Sequence, residues 1–239
     1  MAKNTYDYIV VGAGAGGAAV GNRLSENPDA KVLQLEAGTG EIPEAVRITQ
    51  AWPTLWFTDI DWKYGEVPQK GLNGRAVPEP RGKAVGGSSN FYIMMHIRGH
   101  ESDFDNWAYN GCPGWSYNDV LQFFTKSEDQ EDDTNPTGGK GGPISVINAK
   151  DHNPNPYSGY FIDACEELGH IRREDLNAPG SLIGTGWHHL NIRNGKRHGA
   201  NEAYIEPFIN NRPNWTLSTN SLATKLVFEG NRCVGVEYI

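Results

Sequence analysis

Apolar positions come in short runs near the N-terminus, and each run stops at glycine. Ile9, Val10 and Val11 form a β-branched run suited to a strand buried on both faces, and Val32, Leu33 and Leu35 form a second. Small residues fill the space between them, and Asn27-Pro28 ends that stretch. The order strand, glycine turn, helix, turn, strand predicts a βαβ unit. From residue 40 to 90 the pattern fades into Pro, Trp and Gly with no helical period. Helical spacing returns at 115–126, where Ser116 is the expected cap and Val120, Phe123 and Phe124 share the face expected to be buried. Asn155-Pro156 opens another helix, with Phe161, Cys165 and Leu168 on one face and Gly169 as its end. Residues 187–197 alternate like a strand and turn at Asn194-Gly195. If that strand is regular, His188 and His189 point to opposite faces and serve structural roles. The acidic run from Glu128 to Asp133 reads as a solvated connection.

The turn inside the βαβ unit carries chemistry. Gly12, Gly14 and Gly17 fit G-x-G-x-x-G: a tight turn, a backbone open to a pyrophosphate, and a helix able to lie close on its strand. An anion is drawn to the N-terminus of that helix by unpaired N–H groups and the macrodipole. Glu36 closes the second strand, where an acid accepts hydrogen bonds from the ribose of an adenosine and disfavours a 2′-phosphate. Dinucleotide binding follows, and the motif alone leaves FAD and NAD both open.

Bulk properties narrow the partners. A formal net charge of −8 without a block of Lys or Arg argues against a nucleic-acid or anionic-membrane surface. The three cysteines, Cys112, Cys165 and Cys233, are far apart with no C-x-x-C pair, so neither a disulfide framework nor a metal site is expected. No segment approaches the length of a membrane span and no secretion signal precedes the first strand, which predicts a cytoplasmic protein.

A second glycine cluster, RGKAVGGSSNFYIMMHIRG, adds a second turn. Its glycines permit a left-handed or very close backbone path, and Ser88 or Ser89 is expected to cap a following helix. Arg81 and Lys83 would add positive potential beside it.

With YDYIVVGAGAGG, VLQLEAG, PRGKAVGGSS, IRGHESDFDNWA and GCPGWSYNDVLQFFTKSED in this order, the sequence resembles the glucose-methanol-choline oxidoreductases, and the choline-dehydrogenase-like members most. The resemblance implies an α/β fold: an FAD-binding Rossmann-type βαβ domain with an interleaved α+β substrate domain, incomplete in this chain. It places the FAD-binding domain at 1–150, part of the substrate domain at 151–210, and a return to the FAD-binding domain at 211–239. By the same resemblance Gly12, Gly14 and Gly17 form the ADP cradle, Glu36 is the ribose acid and Ala37 lies beside the adenosine. Val85, Gly87 and Ser88 belong to the loop clamping pyrophosphate and flavin, and Ala223 meets the adenine. Tyr92 replaces the Asn that most members carry close to the flavin, and Phe91 stands where some carry a histidine bonded to it, so FAD is expected to be non-covalent.

The implied activity is oxidation of the CH–OH group of a small alcohol by hydride transfer to flavin N5. No histidine of this chain matches the family's catalytic base, so the chain is expected to be the N-terminal FAD-binding part, inactive without a complementary C-terminal segment. A non-catalytic dinucleotide-binding or interaction subunit, or an NAD-dependent dehydrogenase, are the alternatives.

Overall fold

The computed structural model describes residues 5–180 and 183–239. In chain order its main elements are β1 (Tyr8–Val11), α1 (Ala15–Leu24), β2 (Val32–Leu35), β3 (Met95–His96), α2 (Glu101–Tyr109), α3 (Tyr117–Ser127), β4 (Glu128–Gln130), β5 (Ile144–Asn148), α4 (Pro156–Glu167), β6 (His189–Leu190), β7 (Trp215–Ser218), β8 (Ala223–Glu229) and β9 (Arg232–Tyr238). They fall into two compact units: the first comprises the residues up to Ile93 and again Lys196–Ile239, the second Met94–Gly195. The chain therefore leaves the first unit after Ile93 and returns to it at Lys196. Residues 94–150 pack with 151–195 because β5 pairs with β6.

In the first unit β1, β2 and β7 form a parallel sheet, Val32 lying opposite Tyr8 on one side and Trp215 on the other. All four residues of β2 are buried. The β1 edge differs from expectation: Val11 is 54% exposed, because β1 has a hydrogen-bonded neighbour on one side only among the described residues. Helix α1 lies close on the sheet because its contact positions lack side chains. A Cβ at Gly17 would come 2.0 Å from the Gly12 carbonyl oxygen, and one at Gly21 would meet the Gln34 side chain at 2.5 Å. Gln34, fully buried, ties this layer together: its Nε2 donates to Gly12 O (3.1 Å) and its Oε1 accepts from Trp215 Nε1 (3.1 Å). A separate apolar cluster of Val46, Leu55, Ile60, Ala84 and Phe91 supports the glycine-rich turn at 86–92.

The second unit is built on a four-stranded sheet in the order β3-β6-β5-β4. Helix α3 begins with the expected cap, a box in which Ser116 Oγ accepts from the Asp119 N–H while Asp119 accepts from the Ser116 N–H. Asn155 caps α4 through the Tyr157 N–H, with Pro156 at the first position. The apolar faces read from these helices are covered only in part. Val120 is buried, but Phe123, Phe161 and Leu168 are 62, 67 and 81% exposed, since no described element packs over them.

The acidic run differs from expectation as well. Glu128 and Gln130 are buried as β4, paired in parallel with β5, rather than lying in a solvated connection. Glu128 receives a two-pronged contact from the buried Arg98, whose Nε donates to Oε1 (2.8 Å) and Nη2 to Oε2, and His96 Nε2 lies 3.0 Å from Oε1. Burial opposes ionisation of Glu128, but the hydrogen bonds from His96 and Arg98 outweigh it and hold the carboxyl at about 2. His189, on β6, is buried between Asp132 and Asp175, in keeping with a structural role. Among the described residues no helix is long and apolar enough to cross a membrane, and no cluster of His, Cys, Asp or Glu is arranged to hold a metal ion.

Candidate dinucleotide site

In the first unit a cavity of about 240 Å3 opens where the two glycine turns meet. Six residues expected at a cofactor line it: Gly12, Gly14, Glu36, Ala37, Gly87 and Ala223. The turn after β1 enters α1 through Gly14, which makes no side-chain cap, and the first turn of α1 has no acidic residue. The positive end of the helix is thus left for an external anion. Gly12 takes a positive φ of 92° to make the turn.

Glu36 fixes the floor. Its Oε2 accepts from Ala13 N and its Oε1 from Gly38 N, both at 2.8 Å, so the carboxylate is held between the glycine turn and the end of β2. Each oxygen has a further lone pair to offer a ribose hydroxyl. The end of β7 is brought here by main-chain bonds: Glu36 N donates to Ser218 O and Ser221 N to Glu36 O, both at 2.8 Å. This places Ser221 and Ala223 on the wall.

The second turn closes against the first. Gly86 N donates to Ala13 O (2.8 Å), and Gly87, with φ 55°, lies so near Gly14 that a Cβ on it would come 2.6 Å from the Gly14 Cα. The expected serine-capped helix is instead a four-residue 3-10 turn, Gly87–Asn90, preceded by Gly86 with no side-chain cap. Both serines are engaged with backbone. Ser88 Oγ accepts from Gly82 N (3.1 Å), while Ser89 Oγ donates to Gly86 O (2.6 Å) and accepts from Ala200 N (2.9 Å).

The remaining expected residues lie around the cavity without lining it. Gly17 packs beneath Gly12, Val85 is buried and donates its N–H to Thr39 O, and Arg81 pairs with Glu79 at the surface. Tyr92 lies beside the buried Arg197, whose guanidinium carbon is 5.5 Å from the ring centre, and burial pushes its phenol up to about 12. Arg197 donates to three carbonyls, Val46 O (2.9 Å), Ser89 O (3.2 Å) and Tyr92 O (2.7 Å), so it fixes the backbone of the second turn. Phe91 belongs to the apolar core at 4% exposure. The sequence reading missed Trp62, Gly82 and Ser221, all on the cavity wall. Trp62 is brought to the turn by pairing of residues 60–62 with 81–83, the Asp61–Gly82 bridge among them, across about 20 residues of chain.

A parallel βαβ layer, an open helix N-terminus and a fixed acid at the end of the second strand are the architecture of a dinucleotide-binding protein. These groups suit an ADP-bearing cofactor: a side-chain-free cradle for its pyrophosphate and an acid for its ribose. The chain belongs to the GMC oxidoreductase family, whose description matches residues 6–239. It is 34% identical over its whole length to mouse mitochondrial choline dehydrogenase, covering 41% of that protein. To oxygen-dependent choline dehydrogenase of Brucella suis it is 35% identical over 97% of its length, again covering 41%. The crystal structure of pyridoxine 4-oxidase from Mesorbium loti superposes with a TM-score of 0.93 at 36% identity, over 98% of this chain and 46% of that one. The chain thus spans less than half the length of these relatives.

Proposed function

We propose that this chain is the FAD-binding part of an enzyme that oxidises the CH–OH group of a small alcohol. The cavity between the two glycine turns carries the reading, because it combines an open helix N-terminus with the Glu36 carboxylate. Bound FAD would supply the acceptor for the substrate hydride, at flavin N5. In this reading Gly12, Gly14 and the N-terminus of α1 hold the pyrophosphate, Glu36 holds the ribose, and Ala37 and Ala223 flank the adenosine. Gly17, Val85, Gly87, Ser88 and Tyr92 shape the second turn and the floor beneath it, and Arg81 contributes positive potential nearby. Phe91, packed in the core, supports a non-covalent flavin. The catalytic base is assigned to a complementary segment and to no residue of this chain, and a cytoplasmic location completes the reading.

Titrating the purified chain with FAD is expected to quench flavin fluorescence at one equivalent, and acid precipitation is expected to release all of the flavin into the supernatant. A folded chain that takes up no flavin overturns the reading. The chain together with its complementary segment is expected to bleach its flavin absorbance on adding choline or pyridoxine under anaerobic conditions. Glu36→Gln removes the charge from the ribose acceptor and is expected to weaken ADP binding roughly tenfold, by calorimetry, the size of one charge-assisted hydrogen bond.

A further inference from the structure

We infer that Asn194 is a site of spontaneous covalent modification, where the main-chain nitrogen of Gly195 displaces the side-chain amide and leaves aspartate or isoaspartate in the chain. The sequence holds three Asn-Gly pairs, at 73–74, 110–111 and 194–195, and all six residues are exposed, so exposure does not choose among them. Hydrogen bonding does. The reaction needs the glycine nitrogen as its nucleophile, and at two of the pairs that nitrogen is occupied: Gly74 N donates to Gln69 O (3.0 Å) and Gly111 N to Ala108 O (3.2 Å). At the second pair the leaving amide is held too, Asn110 Nδ2 donating to Asn106 O (2.7 Å) and Asn106 Oδ1 (2.9 Å). Among the described residues neither Gly195 N nor the Asn194 amide has a hydrogen-bond partner.

The backbone at the third pair is also easily opened. Asn194 and Gly195 take φ of 52° and 73°, the type I′ turn that Asn-Gly favours, between strands of only two residues each, Ile192–Arg193 and Lys196–Arg197. So short an arrangement frays at little cost, and the nitrogen of a residue without a side chain can then reach the Asn194 Cγ. The Gly195 N–Cγ bond forms as the Cγ–Nδ2 bond breaks, the nitrogen's proton leaves with the amide as ammonia, and a five-membered imide remains. Water then opens the imide at either carbonyl. One opening gives aspartate; the other gives isoaspartate, whose main chain runs through the side-chain carbon and is one atom longer. The added atom falls just before Arg197, which is buried at 2% exposure and donates to Val46 O, Ser89 O and Tyr92 O. Lengthening the turn therefore strains the bonds that hold the second glycine turn.

Peptide mapping of the folded chain after incubation in mildly alkaline buffer tests the assignment. Asn194 is expected to convert roughly tenfold faster than Asn73 or Asn110, the size of one backbone hydrogen bond that must first break. Isoaspartyl methyltransferase is expected to label the same peptide. In the denatured chain the three pairs are expected to react at similar rates. Asn194→Gly keeps a turn-forming pair and has no amide to lose, so it is expected to hold its melting temperature through an incubation that lowers that of wild type. Folded-state conversion at Asn194 no faster than at the other two pairs overturns the assignment. An equal lead for Asn194 in the denatured chain overturns the structural reason for it, and equal melting temperatures for incubated wild type and Asn194→Gly overturn the link to Arg197.

Discussion

Replacing Gly87 by alanine is expected to lower FAD affinity by roughly a hundredfold or more. The added Cβ would come 2.6 Å from the Cα of Gly14, and backbone on both sides leaves no side chain to swing away. Gly87 also takes φ 55°, a conformation unfavourable by about 1–2 kcal/mol for an L residue. Overpacking adds about 1–3 kcal/mol, so the two turns would move apart at the proposed pyrophosphate site. Gly74→Ala is the control. It has φ 78° but no atom within 4 Å of an added Cβ, and it lies outside the cavity, so it should lose a little stability and no FAD affinity. Equal FAD affinity for Gly87→Ala and wild type would show that the contact between the turns does not set cofactor binding.

The second large effect lies in the other unit. Glu128→Gln is expected to destabilise the fold by about 3–5 kcal/mol, because the Arg98 guanidinium would stay buried without its carboxylate. Thermal melting measures this directly. Replacing both partners, Arg98→Met with Glu128→Met, should recover much of the loss, since no uncompensated charge then remains. The pH dependence follows from the same pair. The folded-state value of Glu128, about 2, lies below its ordinary 4.5, so the stabilisation is complete above about 4.5. It is lost as the pH falls from there to about 2. Between those limits the melting temperature of wild type should fall more steeply than that of Glu128→Gln; parallel curves would remove Glu128 from the account.

The βαβ unit was legible because its interactions are local. Gly12, Gly17 and Glu36 act within one turn, helix and strand, and residue type together with spacing fixes what each must do. The cofactor assignments at Ala37, Gly87 and Ala223 came from family resemblance, and the cavity brings these residues together. The serines misled because a helix cap and a backbone brace use the same hydroxyl. Ser89 took the second role when Ala200, 111 residues later, supplied a donor. Glu128 misled similarly: a run of acids reads as solvated until a buried arginine arrives from 30 residues away.

The sequence by itself determined the parallel glycine-turn unit, the acid that closes it and the family to which the chain belongs. Those follow from backbone sterics and hydrogen bonding over about 30 residues, where chain connectivity leaves few alternatives. Tertiary structure alone decided that Gly87 meets Gly14, that Ser221 and Trp62 reach the cavity, and which acids are buried. Each of these depends on a partner distant in sequence, and neither burial nor a close approach is fixed until that partner is in place.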